Sequence, residues 1–209
     1  MKRYTPQEAV RILTNAAKAY QENLVGRTFI VIYHDANTNT TTYRRLKFNP
    51  SNFQHLTGIR YADNISPKVF YAMCLNHRLS PTKLKFDPNG FTHMKLSVLP
   101  YLPELLYHKF WIGDSINNDI YINADYYIGD TKCVLSIGFR EARESSPISL
   151  KRQSIREVVR RTNRVYGVLA CKVSSGDEWA WVYQDTPQIA EQLSSDEIYL
   201  KLTTELNIT

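Results

Sequence analysis

The sequence predicts an α+β fold in which helices pack on an antiparallel sheet. Near the N-terminus the apolar residues recur with helical periodicity, and two β-rich runs joined by a short turn follow them. In the second half, short β-rich runs are separated by Asn, Asp and Gly, as in an antiparallel meander. The 209 residues are 43% hydrophobic and include only 8 Gly and 9 Pro, which indicates one domain at 1–209. We expect an N-terminal helix at 1–24, a core at 25–185 and a C-terminal helix at 186–209.

The first half is predicted to contain three helices and one hairpin. Thr5 and Glu8 have the spacing of a capping box, which begins a helix. Pro100 and Pro103 are expected to break or kink the last of the three helices. The predicted elements are a helix at 6–21, hairpin strands at 28–33 and 40–48, a helix at 66–77 and a helix at 92–107.

The second half is predicted to be mainly strand and to end in an amphipathic helix. The predicted strands are 110–112, 119–122, 126–128 and 132–139, followed by a hairpin of 164–173 and 178–183 with its turn at 174–177. Ser194 or Ser195 is expected to cap the final helix, which covers 198–206. Trp179, Trp181 and Tyr183 alternate on the last strand, where they either stack on nucleobases or pack against that helix. Packing is the preferred interpretation.

Basic residues concentrate between 151 and 164, where six Lys or Arg accompany one acid, whereas acids predominate after residue 174. The segment Ser154–Glu157 has capping-box spacing, so we expect a helix to begin at Ile155 and to align Arg156, Arg160 and Arg164 on one face. Such a helix either binds a polyanion or pairs with the acidic C-terminal segment. The planar donor fork of arginine suits phosphate, which favours nucleic acid. The predicted nucleic-acid contacts are Arg152, Arg156, Arg160, Arg161 and Lys172.

The segment Phe53–Ile59 has the composition of a functional site. His55 and Thr57 stand two positions apart between apolar residues, and Gly58 follows them. Histidine transfers protons near neutral pH without much tuning of its pKa, and Thr57 is placed to orient it or to hold a substrate oxygen. The alternative is a half-buried histidine that bonds to the backbone in a strand-to-helix turn.

Several other classes of site are excluded by the sequence. Cys74, Cys133 and Cys171 are isolated in apolar surroundings, so we expect buried free thiols in a reducing compartment. No metal-ligand spacing, Gly-rich phosphate loop, paired catalytic carboxylates or serine elbow occurs, and neither a metal nor a cofactor is expected. Without an apolar run of about 18 residues or a signal-peptide core, we expect a cytoplasmic protein that does not enter membranes.

Three segments, 53–58, 70–75 and 95–100, together resemble a phage-associated nuclease family named after Barnase, EndoU, Colicin and RelE, the fourth of its group. The resemblance extends from about residue 25 to about residue 185. It implies an α+β domain with an antiparallel sheet and ribonuclease activity, in a protein of phages or other mobile elements.

Cleavage of RNA without a metal needs a base, an acid and a cation, because the 2′-hydroxyl of the substrate is the nucleophile. With the resemblance, His55 is the expected base or acid, and Thr57 orients it or contacts a phosphate. The cation is expected from Lys95, Arg140, Lys151 or Lys172, of which Arg140 and Lys151 are preferred. Arg140 is also suited to a surface pair with the neighbouring Glu141 or Glu144.

Two functions therefore follow from the sequence. The first is a metal-independent endoribonuclease of a mobile element, which cleaves host RNA in the bacterial cytoplasm. The second is a noncatalytic protein that keeps the nuclease fold and binds nucleic acid, or a host defence or translation protein that is bound to nucleic acid. An anti-defence protein such as a CRISPR inhibitor acts in this second way.

Overall fold

The structure, a computed structural model, describes residues 2–116, 123–131, 135–173 and 178–208. The α-helices are α1 (Pro6–Asn23), α2 (Pro50–Thr57), α3 (Pro67–Leu75), α4 (Phe91–Val98), α5 (Ile155–Val158), α6 (Ile189–Gln192) and α7 (Glu197–Leu206). Two 3₁₀ segments cover Pro81–Lys83 and Leu99–Tyr107. The strands are β1 (Arg27–Asp35), β2 (Thr40–Lys47), β3 (Arg60–Tyr61), β4 (Leu84–Lys85), β5 (Trp111–Asp114), β6 (Tyr126–Asp130), β7 (Leu135–Arg140), β8 (Ser146–Lys151), β9 (Asn163–Lys172) and β10 (Trp179–Gln184).

The main sheet has the order β2-β1-β9-β5-β6-β7-β8, and its paired strands are antiparallel. β10 also pairs with β9, while β3 and β4 form a separate ribbon. The strands are rich in β-branched and aromatic residues, which suit a pleated and largely buried surface. The predicted α+β fold with an antiparallel sheet is therefore confirmed.

The two outer strands of this sheet meet at Ser145, so that the sheet curls into a half-barrel. The backbone N–H of Lys47 donates to the carbonyl of Ser145 at 3.0 Å, and the N–H of Ser145 donates to the carbonyl of Arg45 at 2.8 Å. A salt bridge of 2.9 Å between Lys47 and Glu144 crosses the same junction. These contacts fix β8, which follows Ser145 directly, against the end of β2.

Helices cover both faces of the sheet. On one face α1 to α4 and the 3₁₀ segment at 99–107 bury the largest apolar cluster, in which the ring of Tyr20 meets Phe48, Phe53 and Tyr71 edge-on. On the other face α6 and α7 pack on β1 and β9, while α5 packs on β6. Within the described residues, no helix is long and apolar enough to span a bilayer.

Most of the predicted helices and hairpins are confirmed. The capping box of Thr5 and Glu8 begins α1, and the predicted third helix divides at Leu99, since Pro100 and Pro103 cannot continue an α-helix. The hairpins β1–β2 and β9–β10 form as expected. The predicted strand at 119–122, the first part of the strand at 132–139 and the turn at 174–177 lie outside the described residues.

The predicted basic helix begins at Ile155 after the cap Ser154, as expected, but its predicted continuation through Arg160 and Arg164 is wrong. α5 has only four residues, because the backbone is already extended at Val159 and β9 begins at Asn163. Val158 and Val159 are buried, and the N–H of Arg160 donates to the carbonyl of Asp114 at 3.0 Å. The chain after residue 158 therefore joins the sheet instead of continuing a helix, and the arginines do not share a helical face.

Two further predictions need correction at the C-terminus and before α5. Asp196 caps α7, in place of Ser194 or Ser195, by accepting from the N–H groups of Ile198 and Tyr199 at 3.0 Å. The strand β8 and the short helix α6 were not predicted, because β8 contains a proline at its second position and α6 is only four residues long.

The aromatic residues of β10 pack within the protein, as the preferred interpretation predicted. Tyr183 packs on a different face of the sheet from Trp179 and Trp181. The Trp181 ring stacks on Tyr199 of α7, and Trp179 packs against the same cluster. An irregularity of the strand between Trp181 and Tyr183 turns Tyr183 towards Phe110 on the other face.

The predicted free thiols are confirmed for Cys74 and Cys171, which are buried. Cys133 lies outside the described residues.

Candidate active site

A cleft of about 1100 Å³ opens between α2, α4, the β3–β4 ribbon and the end of β8. Its basic lining residues come from α4, the β3–β4 ribbon and the end of β8, and they are Arg60, Lys85, Lys95 and Lys151. His55 lines the same cleft, and Asp87 is the one acid among its lining residues. The cleft is therefore strongly positive, which suits an anionic ligand such as a nucleic-acid phosphate.

His55 occupies the last turn of α2, where the helix exposes it to the cleft. Pro50 begins this helix, and Phe53, Leu56 and Thr57 bury its other side. Gly58 ends α2 with a φ of 67°, a left-handed conformation that glycine adopts readily. The predicted strand-to-helix turn is thus a helix C-terminus. His55 is exposed at this end, in contrast to the half-buried alternative.

Lys95 of α4 is fixed against the backbone of His55. Its Nζ donates to the carbonyl oxygen of His55 at 3.0 Å, and the same oxygen also accepts from the N–H of Gly58 at 3.4 Å. Burial lowers the pKa of Lys95, Asp87 opposes this effect, and the charge of Lys151 lowers the pKa further. The ammonium group is thus partly desolvated before any ligand is bound, and a phosphate beside it would meet little competing water.

The position of Lys95 depends on the absence of a side chain at Gly58. A Cβ built on Gly58 would lie 3.0 Å from Cδ of Lys95 and 3.6 Å from Cα of Thr92. The stem of Lys95 therefore passes directly over Gly58 to reach the carbonyl of His55.

Lys151 lines a second wall of the cleft at the end of β8. Its Nζ stands 5.1 Å from the centroid of the Tyr127 ring, in a cation–π arrangement. Its charge disfavours the charged form of Lys95, so the two ammonium groups repel each other across the cleft. An anion between them relieves this repulsion. The structure thus brings together His55, Lys95 and Lys151.

Two buried threonines shape the cleft without facing a ligand. Thr57 is 0% exposed, and its hydroxyl donates to the carbonyl of Gln54 at 2.7 Å and accepts from the N–H of Ile59 at 3.0 Å. The expected phosphate contact of Thr57 is therefore corrected to a role within the turn. The hydroxyl of Thr92 donates to the carbonyl of Gly58 at 2.9 Å and accepts from the N–H of Asp87 at 2.9 Å. Thr92 was not predicted, because a buried threonine carries no distinguishing sequence signal.

Arg140 does not belong to the cleft. It pairs with Ser146 at the start of β8, whereas Lys151 pairs with Ser136 at the other end. Five residues of strand separate the two ends by roughly 17 Å. The expected surface partners of Arg140 are engaged elsewhere, because Glu141 pairs with Arg44 and Glu144 with Lys47.

The residues predicted to contact nucleic acid are dispersed. Arg152 is exposed next to Lys151, and Arg156 and Arg160 are exposed further along the chain. Arg161 donates to the carbonyl of Ala36 at 2.8 Å. Lys172 ends β9 in register with Arg27 and is not one of the residues that line the cleft.

Pairing with the acidic C-terminal segment, the alternative to nucleic-acid binding, is observed for Arg164. Its guanidinium lies 2.6 Å from the carboxylate of Asp185, which also accepts from Lys109 at 3.0 Å. Tyr183 donates to the same carboxylate at 3.1 Å. Burial alone would raise the pKa of Asp185, but the hydrogen bonds from Lys109, Arg164 and Tyr183 outweigh this effect and lower it.

Arg60 and Lys85 are site residues that were not predicted. They face each other across the β3–β4 ribbon, whose strands have only two residues each. Strands this short leave no periodic signal in a sequence. Among the described residues, no group of three or more His, Cys, Asp or Glu is arranged to hold a metal ion.

Comparison with known proteins bears directly on this cleft. The family model for phage-Barnase-EndoU-ColicinE5/D-RelE like nuclease 4 matches residues 12–178, which include every residue named above as lining the cleft. No curated protein and no solved structure matches the chain. Since the match covers most of its length, the chain belongs to this family of nucleases of the Barnase, EndoU, ColicinE5/D and RelE group.

Proposed function

We propose that this protein is a metal-independent endoribonuclease of a phage or other mobile element, which cleaves host RNA in the bacterial cytoplasm. The observation that carries the proposal is the exposed imidazole of His55 in a cleft whose walls carry Lys95 and Lys151. A proton-transfer group beside two ammonium groups supplies the base or the acid, together with the cations, that transesterification at phosphorus uses.

In the proposed reaction the 2′-oxygen of a ribose attacks the adjacent phosphorus, and the bond from phosphorus to the 5′-oxygen breaks. The 2′-hydroxyl loses its proton, and the departing 5′-oxygen gains one. His55 either takes the proton from the 2′-hydroxyl as the base or gives one to the 5′-oxygen as the acid, and solvent water exchanges the other proton. Lys95 and Lys151 stabilise the negative charge that builds on the phosphoryl oxygens. The products are a 2′,3′-cyclic phosphate and a 5′-hydroxyl end.

The exposed arginines that follow Lys151 in the chain add positive charge outside the residues that line the cleft. Arg152 is adjacent to Lys151, and Arg156 and Arg160 follow it. We assign these three residues to the phosphates that flank the cleavage site, where each contact releases counterions and makes binding depend on salt. Arg161 and Arg164 already bond to Ala36 and Asp185, and we give them no such part.

The test is incubation of the purified protein with end-labelled total RNA in EDTA. The wild type is compared with His55→Ala and with His108→Ala, whose exposed side chain lies 3.9 Å from Glu104 and does not line the cleft. We expect discrete cuts with cyclic phosphate ends from the wild type and from His108→Ala. We expect a loss of at least about 100-fold in rate from His55→Ala, as for removal of a general acid or base.

The exposed arginines also favour a second function, in which the protein blocks a nucleic acid or a nucleic-acid-bound host protein without cutting. Intact RNA with salt-dependent binding by the wild type would contradict the ribonuclease and support this role. Substitution of Arg152, Arg156 and Arg160 by Glu would then abolish binding, and His55→Ala would leave it unchanged.

A further inference from the structure

An exposed phenyl ring lies on one wall of the cleft, beside its basic residues. Phe91, the first residue of α4, is 55% exposed and lines the cleft together with Met94 and Lys95. The other face of the same helix is buried in the core through Thr92 and Leu96. The helix therefore directs an apolar ring away from the core and into a cleft that is otherwise suited to anions.

The helical spacing brings this ring close to the ammonium group of Lys95. Residues four apart on a helix are surface neighbours, with about 5–6 Å between their Cβ atoms. Phe91 and Lys95 have this spacing, and Nζ of Lys95 reaches the carbonyl oxygen of His55. The phenyl ring, the ammonium group and the end of α2 thus follow one another along the cleft.

A ligand that suits both groups has a flat apolar face next to an anion. A nucleotide has this composition, since its base can stack on an aromatic ring while its phosphate meets the ammonium groups. A base inside a duplex is stacked on both faces and paired at its edge, so it cannot present a face to a protein ring.

We infer that Phe91 is a stacking platform for an unpaired nucleobase next to the phosphate that Lys95 and Lys151 hold, and that the substrate is therefore single-stranded or looped RNA. This inference rests on the proposed function for the identity of the phosphate. Met94 extends the apolar surface beside the ring, since it lines the same cleft one turn along α4.

The experiment measures binding separately from cleavage. The probe is a fluorescein-labelled 2′-fluoro RNA oligonucleotide, which lacks the attacking hydroxyl, used as a single strand, as a duplex and as a strand with abasic residues. The proteins are the wild type, Phe91→Ala, Phe91→Trp and the control Tyr101→Ala. Tyr101 is 57% exposed, close to the exposure of Phe91, but does not line the cleft.

We expect Phe91→Ala to weaken binding of the single strand by about 5- to 150-fold, the range for loss of one stacked base. Phe91→Trp and Tyr101→Ala are expected to bind like the wild type. On the abasic strand, the wild type should bind no more tightly than Phe91→Ala. On the duplex, the two proteins should also bind equally.

The inference would be overturned if Phe91→Ala bound the single strand as tightly as the wild type does. It would also be overturned if Phe91→Ala weakened binding of the duplex and of the abasic strand as much as it weakens binding of the single strand. Failure of the ribonuclease proposal is seen separately, as intact 2′-hydroxyl RNA. If that RNA stays intact while Phe91→Ala still weakens binding of the single strand, the stacking platform stands and the cleavage does not.

Discussion

At the scale of single residues, Gly58 controls where Lys95 lies. Its φ of 67° disfavours any residue with a Cβ, and that Cβ would meet Cδ of Lys95 at 3.0 Å. Gly26 has a similar φ of 74° but open space around the position of a Cβ. The two glycines therefore share the backbone requirement and differ in the contact with the proposed catalytic lysine.

We predict that Gly58→Ala lowers the cleavage rate by up to about 10-fold, because the new Cβ makes Lys95 give way by a few tenths of an ångström and so moves its charge. Gly26→Ala is the matched control and should keep the rate. Both variants should lose about 1–2 kcal/mol of unfolding free energy through backbone strain. Cleavage assays and urea unfolding measure the two effects. Equal rates for the two variants would contradict the assigned position of Lys95.

Sequence reasoning proposed His55 as the base or acid, because a histidine, a threonine and a glycine are neighbours in the segment 53–59. The structure places His55 in the cleft, and its catalytic role stays a prediction. The other site residues come from distant segments. Lys95 was considered but not preferred over Arg140, since only the fold brings Lys95 within 3.0 Å of the carbonyl of His55. Arg140 and Lys151 belong to adjacent strands but opposite ends, and a sequence does not reveal that register.

At the scale of elements, two segments with capping-box spacing begin helices of different length, the long α1 and the single turn of α5. After Thr5 the apolar residues Ala9, Leu13 and Ala16 continue with helical periodicity and pack in the core. After Ser154 the buried Val158 and Val159 are adjacent and β-branched, and the chain turns into β9. A cap starts a helix, but only a long apolar periodicity sustains it.

The contribution of a helix cap to stability can be tested directly at the start of α7. Asp196→Ala removes the acceptor for the N–H groups of Ile198 and Tyr199, and we predict a loss of about 1 kcal/mol in unfolding free energy. Ser195→Ala is the control, since Ser195 is one of the two caps that the sequence predicted and Asp196 is the cap that forms. Denaturant unfolding of both variants measures the difference. A loss in Ser195→Ala as large as in Asp196→Ala would contradict the observed cap.

At the scale of the whole molecule, Asp185, which directly follows β10, joins the β9–β10 hairpin to Lys109, which is 76 positions away in the chain. Its side chain is only 6% exposed and accepts from Lys109, from Arg164 of β9 and from Tyr183 of β10. The carboxylate thereby ties the end of the 3₁₀ region to the hairpin that carries the middle of the sheet.

The lowered pKa of Asp185 predicts a dependence of stability on pH. The folded state favours the charged carboxylate, so its contribution is fully present above the unfolded pKa near 4 and is lost as the pH falls through the lower folded pKa. Asp185→Asn should reduce the unfolding free energy at pH 7 by about 1–3 kcal/mol. The difference from the wild type should shrink below about pH 4. A difference that stays constant under acid would contradict the assigned charge.

The order of the strands in the sheet could not be predicted from the sequence. Alternating apolar residues reveal which face of a strand is buried, but not which strand lies beside it. The two hairpins were predictable because each connects consecutive strands through a short turn. β9 lies between β1, whose paired residues are more than a hundred positions away, and β5, whose paired residues are about fifty positions away, and no local pattern records either pairing.

The junction at Ser145 also has a consequence for the order in which the chain folds during synthesis. His55 follows β2, and Lys151 ends β8, so the two walls of the cleft are contributed by segments about a hundred residues apart. Loop closure over such a distance occurs only after the intervening chain is available. A ribosome-bound fragment therefore carries His55 without the opposing lysine, and the proposed nuclease is inert towards the RNA around it until most of the protein has been made.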